Sequence, residues 1–148
     1  MLVPTLQKLF NRDLLRLLNE INSFKNEEII WQTNHDIFNS AGNLTLHLIG
    51  NLNTYIGAEF GKTNYTRDRP LEFSLKNIPK DELIAMIEQT IKVVNDSLNM
   101  IREEDLNKEY PIIVFEQPCT CEYMLVHLAT HLSYHLGQIN YHRRLMDH

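Results

Sequence analysis

Apolar residues recur every three or four positions in four stretches of the chain, the spacing that lines one face of an α-helix. In the first stretch Leu6, Phe10, Leu14, Leu17 and Ile21 form such a row between about Pro4 and Phe24. Pro4 suits a first helical position, where the amide hydrogen it lacks would have no intrahelical partner. The third stretch opens at "PKDEL", with Asp81 and Glu82 at the positive end of the helix dipole, and continues through Leu83, Ile87, Ile91, Val94, Leu98 and Ile101. The second is expected from Ser40, an N-cap residue, to Phe60, with Gly61 as its stop, and the fourth from the N-cap Thr120 to about Met146. Four such stripes without a credible sheet predict an all-α fold, a four-helix bundle in which the stripes bury one another.

The connections are longer than a bundle needs, since helix–helix loops usually take about two to eight residues. Residues 61–79, "GKTNYTRDRPLEFSLKNIP", separate the second and third helices and hold Arg67 and Arg69. Residues 103–119 separate the third and fourth and contain an apolar run, Ile112 to Phe115, short enough for a strand or a hook over the bundle end. Residues 26–39 carry Trp31, the sole tryptophan.

A length of 148 residues suits one domain, 1–148, with a sizeable core, and 43% hydrophobic with 22% charged residues is an ordinary globular balance. The net charge of −5, with no basic run longer than Arg143–Arg144, argues against a nucleic-acid partner. Lys8, Arg12, Asp13 and Arg16 interrupt the N-terminal apolar residues, unlike a secretory leader, and no apolar window of about 18 residues suggests a membrane span, so a cytoplasmic protein is expected. Cys119 and Cys121 flank Thr120 in a C-x-C too short for an ordinary disulfide and without a second pair for a zinc ribbon.

The unusual chemistry lies in "HLATHLSYHLGQINYH", where His127, His135 and His142 fall within about 60° of the His131 direction on a helix. They share that face with Met124, Leu128 and Leu145, whereas Arg143 and Arg144 point away, so the imidazoles are expected to face the bundle interior. On the second helix His47 lies in a polar stripe with Ser40, Asn43, Asn51 and Thr54 amid leucines and isoleucines. Buried polar groups need partners, and one solution is that His47 meets the histidines of the fourth helix. Two imidazoles one turn apart plus one from a facing helix form the three-ligand shell of a catalytic metal ion; mutual hydrogen bonding of buried histidines is the plainer alternative. Spacing does not choose between the pairs 127/131 and 131/135. No Glu follows the first His of either pair, as H-E-x-x-H would require, and no Glu-x-x-His occurs, which argues against a ferritin-like di-iron centre.

"HLATHLSYHLGQI", preceded by a lone histidine in "NLTLHLIGNL", resembles the DinB-like superfamily of small metal-binding helical bundles, which includes the YfiT-type proteins. The resemblance implies an up-down-down-up four-helix bundle with long connections between helices two and three and between three and four, commonly a homodimer. It also implies one divalent ion, zinc or nickel, on three histidines. Carried over position by position, the ligands are His47, His131 and His135, with His127 one turn away as a neighbour. If helices two and four are antiparallel, the 131/135 pair lies toward the end of the fourth helix that His47 faces, which agrees with that set.

Some similar proteins transfer a low-molecular-weight thiol such as bacillithiol, so the leading expectation is a metal-dependent thiol S-transferase acting on a small-molecule substrate. Coordination lowers a thiol's pKa and makes thiolate available near neutral pH. Arg67 and Arg69 are candidates to hold cofactor carboxylates. The rivals are a hydrolase using metal-activated water and a non-catalytic metal-binding or sensor protein. The small residues Ala129, Ser133 and Gly137 form a row away from the histidines and mark a helix-docking face, for a homodimer or equally for a helix of the same bundle.

Overall fold

The computed structural model describes residues 1–148. It is all-helical, with five helices of more than one turn and no strand. These are α1 (Leu2–Asn22), α2 (Ala41–Leu52), α3 (Arg69–Ser74), α4 (Lys80–Leu98) and α5 (Cys121–Met146). Beyond Leu52 the second helix continues through a π-helical stretch, Asn53–Ala58, and a last turn, Glu59–Gly61. Two 3₁₀ turns, Glu27–Trp31 and Glu103–Asn107, lie in the connections.

The N-caps expected from sequence are present: Ser40 accepts from the Asn43 amide and Thr120 from that of Tyr123. Gly61, expected as a stop, has another role. The left-handed cap is Lys62 at φ 55°, and a Cβ on Gly61 would overlap the Ser97 side chain, so the glycine allows close approach of the second helix to α4. The apolar run Ile112–Phe115 makes no strand. It is a hook whose Ile112, Val114 and Phe115 pack on the core, its base pinned by an isolated bridge between Glu109 and Thr120.

Side-chain pairs give the helix directions. Gln7 meets Asn99 and Asn11 meets Asn95, so α1 and α4 are antiparallel. Asp13 and Arg16 share a groove with Ser133, and Glu20 binds Asn140 and Arg143, so α1 and α5 are parallel. His47 meets His131, whereas Tyr55 at the other end accepts a hydrogen bond from Tyr110, which is itself tied to Cys119, so α2 and α5 are antiparallel. Asn53 binds Thr90 and Gly61 abuts Ser97, so α2 and α4 are parallel. These directions are compatible with the expected four-helix bundle, and one contiguous core joins the long helices. Ala129 packs partly on that core, while Ser133 and Gly137 line the polar groove between α1 and α5.

The long connections mostly clothe α2, all twelve residues of which are buried. Trp31 lies on Gly42, where a Cβ would come within 2.6 Å of the indole. Helix α3, unforeseen within the 61–79 connection, begins at an Asp68 N-cap with Pro70 in its first turn and lies along α2. Asn43 fastens it there. Its amide donates to the carbonyls of Glu72 and Leu75, both at 2.9 Å, and its oxygen accepts from Ser40 and Lys76. Asn43→Ala should remove these bonds and leave buried carbonyls unpaired, lowering stability by about 1–3 kcal/mol in a urea titration.

Candidate metal centre

Three imidazoles meet where α2 faces α5. One ring nitrogen from each of His47, His131 and His135 lies within 4.8 Å of the other two. The Nε2 atoms of His47 and His131 are 3.2 Å apart. Ligand nitrogens about 2.0–2.1 Å from a tetrahedral zinc would stand about 3.3–3.4 Å from one another, so this pair already has the spacing of two ligands on one ion. The rings of His131 and His135 are perpendicular with centroids 4.6 Å apart, one helical turn bringing both to the same point.

The outward nitrogens show which inward ones are free. His47 Nδ1 is 3.1 Å from Glu72 Oε1. An ionised carboxylate only accepts, and at 3.1 Å it is closer to Nδ1 than the Arg67 Nη2 donor at 3.4 Å, which assigns the proton to Nδ1 and leaves Nε2 its lone pair. His135 Nδ1 likewise faces the Gln138 amide oxygen at 2.7 Å, leaving its Nε2 free. His131 Nδ1 is buried without a partner, its ring held by packing between His127 and His135. Outer partners of this kind fix tautomer and ring orientation in metal sites.

Glu72, which the sequence reading did not single out, is the keystone of the His47 arrangement. It is 6% exposed and accepts two hydrogen bonds from Arg67, at 2.8 and 3.0 Å. Burial opposes the charge on Arg67, but the Glu72 hydrogen bonds and charge more than offset it, and the net shift is upward. The ring of Tyr55, in the π-helical stretch, lies 5.7 Å from the guanidinium. Gly50 makes room for the carboxylate, since a Cβ there would overlap it. The signal in the sequence was the D-x-P-x-E pattern, Asp68, Pro70 and Glu72, which marks a short capped helix inside a long connection.

The other expected residues are placed as follows. His127 stands one turn from His131, ring centroids 6.1 Å apart, with Phe115 edge-on to it at 4.8 Å, and is outside the three-nitrogen cluster. His142 is buried elsewhere, beside the backbone of Ile29 and Gln32. Arg67, expected to hold a ligand carboxylate, has its guanidinium engaged by the protein's own Glu72. Arg69 lies over the Phe73 ring at 5.9 Å on the exposed side of α3.

Burial is the largest cause holding His131 down to about 4, reinforced by the neighbouring imidazoles and Arg67. Burial also lowers His47, against the opposing hydrogen bond and charge of Glu72. Neutral imidazoles are the form that binds a metal ion, so the donor set fits a divalent cation.

The chain belongs to the family described as "Protein of unknown function (DUF1572)", whose model matches residues 5–148. No curated protein matches it.

Two outcomes follow from the geometry. Glu72→Gln keeps the side-chain size but removes the charge that orients His47, and should weaken divalent-metal affinity roughly 10–100-fold in competition with a chelating dye. In the metal-free protein the unfolded chain takes up protons near the ordinary histidine value, about 6.5, whereas folded His131 resists until about 4. The folded state binds fewer protons in that window, so stability is full above about pH 6.5 and lost as pH falls toward 4. Thermal melts from pH 7.5 to 4.5 should show the decline, and His131→Asn should flatten it.

Proposed function

We propose that this chain is a DinB-like, four-helix-bundle metalloprotein in which His47, His131 and His135 hold one zinc or nickel ion, and that it acts as a thiol S-transferase. The observation carrying the proposal is the convergence of three ring nitrogens, with two of the three outer nitrogens fixed by Glu72 and Gln138. A set of only three protein ligands leaves room for an exogenous one, the pattern of catalytic rather than structural sites.

When bound, the ion supplies the positive charge that lowers the pKa of a small thiol and favours its thiolate at neutral pH. The protein's own groups do the rest. Glu72 and Gln138 hold protons on the outward nitrogens and aim the inward lone pairs. Burial keeps His47 and His131 neutral, so protons compete little for the ligand positions. Arg67 pairs with Glu72, so the buried carboxylate has an opposite charge and hydrogen bonds inside the protein. Homodimer formation along the Ser133 and Gly137 face of α5 belongs to the same proposal.

Elemental analysis of purified protein should find about one divalent ion per chain. His47→Ala, His131→Ala and His135→Ala should each deplete it, whereas His127→Ala should weaken binding without abolishing it. Loss of the ion in the 127 variant with retention in the 135 variant would overturn the ligand set. Conjugation of small thiols to 1-chloro-2,4-dinitrobenzene should be accelerated by the loaded protein and not by the His131→Ala variant. Full metal content without acceleration for any thiol would sink the transferase reading and leave the hydrolase and the binding or sensor roles.

A further inference from the structure

A cavity of about 540 Å³ opens beside His135, between α5 and the segment that precedes α2. His35, in the left-handed region at φ 50°, turns that segment so that residues 36–39 form one wall. The apolar part of the lining is Ile37, Phe38, Leu44, Tyr134, Tyr141 and Leu145. Four of these are well exposed for such side chains: Phe38 at 87%, Tyr134 at 67%, Tyr141 at 64% and Leu145 at 62%. Apolar and aromatic groups left exposed around a concavity, with a few polar groups converging on it, are the usual composition of a small-molecule site.

The polar groups also restrict the occupant. His135 lies in the wall with Gln138, the residue that holds its Nδ1, so the cavity borders directly on the three-imidazole centre. The one carboxylate is Asp36, and no lysine or arginine lines the space. Arg144 stacks on Tyr141 at 5.4 Å without lining the cavity. His142 adds no charge. It is 4% exposed, burial lowers its pKa, and its inaccessible ring nitrogens lie beside the Ile29 and Gln32 backbone, so it presents carbon to the cavity. An anionic ligand would meet one carboxylate and no compensating lining cation, whereas an uncharged aryl or alkyl body would cover the exposed rings.

We propose that this cavity is the subsite for the apolar electrophile, an uncharged aromatic or branched-alkyl molecule whose reactive group lies at His135. The assignment rests on the transferase reading for its role, but the site itself can be tested without metal.

N-phenyl-1-naphthylamine and 8-anilino-1-naphthalenesulfonate share one aromatic body and differ by a sulfonate. Fluorescence titration of the full chain before nickel loading should show the uncharged probe binding at least ten-fold more tightly. The double variant Tyr134→Ala/Leu145→Ala changes two exposed side chains and is expected to fold normally by circular dichroism. It should weaken binding of the uncharged probe at least five-fold, and Asp36→Asn should narrow the gap between probes. Equal affinity for the two probes, or unchanged binding in the double variant, would overturn the subsite. Nickel content measured on the same samples reports separately on the metal centre, so its failure is distinguishable from failure of the cavity.

Discussion

Every residue of α2 is buried, so each polar group it carries needs a partner inside the protein. Much of the remaining architecture answers that constraint. Asn43 draws α3 against the helix, Asn53 bonds Thr90 on α4, and His47 takes Glu72 on one side and His131 on the other. The connections, longer than a simple bundle needs, supply the outer cover a corner helix otherwise lacks: Trp31 over Gly42, and α3 over Gly50. The glycines matter through approach distance, not conformation, since neither of these two has a positive φ.

The same constraint makes the site electrostatically unusual. A buried carboxylate is costly unless its charge and lone pairs are matched, and Glu72 meets both needs through Arg67 and His47. Burial is the largest influence keeping His47 a neutral donor through Nδ1; the hydrogen bond and charge of Glu72 oppose it, and the charges of His135 and Arg67 act with burial. An ion pair that would be a poor source of stability therefore has a clear role in orientation. The π-helical stretch contains Tyr55, whose ring lies beside Arg67 and whose carbonyl accepts from Tyr110.

Periodicity made the long helices legible, because an amphipathic stripe is a property of the sequence itself, and side-chain capping made the Ser40 and Thr120 boundaries legible for the same reason. The histidine row could be read, and so could the need of His47 for a partner. Neither the periodicity nor the histidine row reaches Glu72; the Asp68 and Pro70 capping signal marks only its helix. Glu72 is one of two acids, with Asp68, in the 61–79 connection, and its importance comes from a six-residue helix whose place against α2 is fixed by Asn43 and permitted by Gly50. Arg67 was noticed for its charge and given an external partner, since the sequence does not show that a buried carboxylate five residues on already occupies it. His142 shares the angular sector of the other histidines but lies far enough along α5 to meet the backbone near Ile29 and Gln32 instead of His47.

The pair of α5 histidines that faces His47 is decided by register, and register is decided away from the histidines. Tyr110 ties the far end of the second helix to the start of α5, its hydroxyl donating to Tyr55 and its amide to the Cys119 carbonyl. At the other end, Glu20 holds Asn140 and Arg143, and Asp147 accepts from the amides of Lys25 and Asn26, fixing α5 along α1. Sliding α5 by one turn would move it about 5.4 Å and bring His127 level with His47, but it would break both sets of ties together. It would also detach His135 from the position where it borders both the imidazole cluster and the aromatic cavity. The ambiguity of two overlapping i, i+4 pairs is thus removed by contacts that contain no histidine.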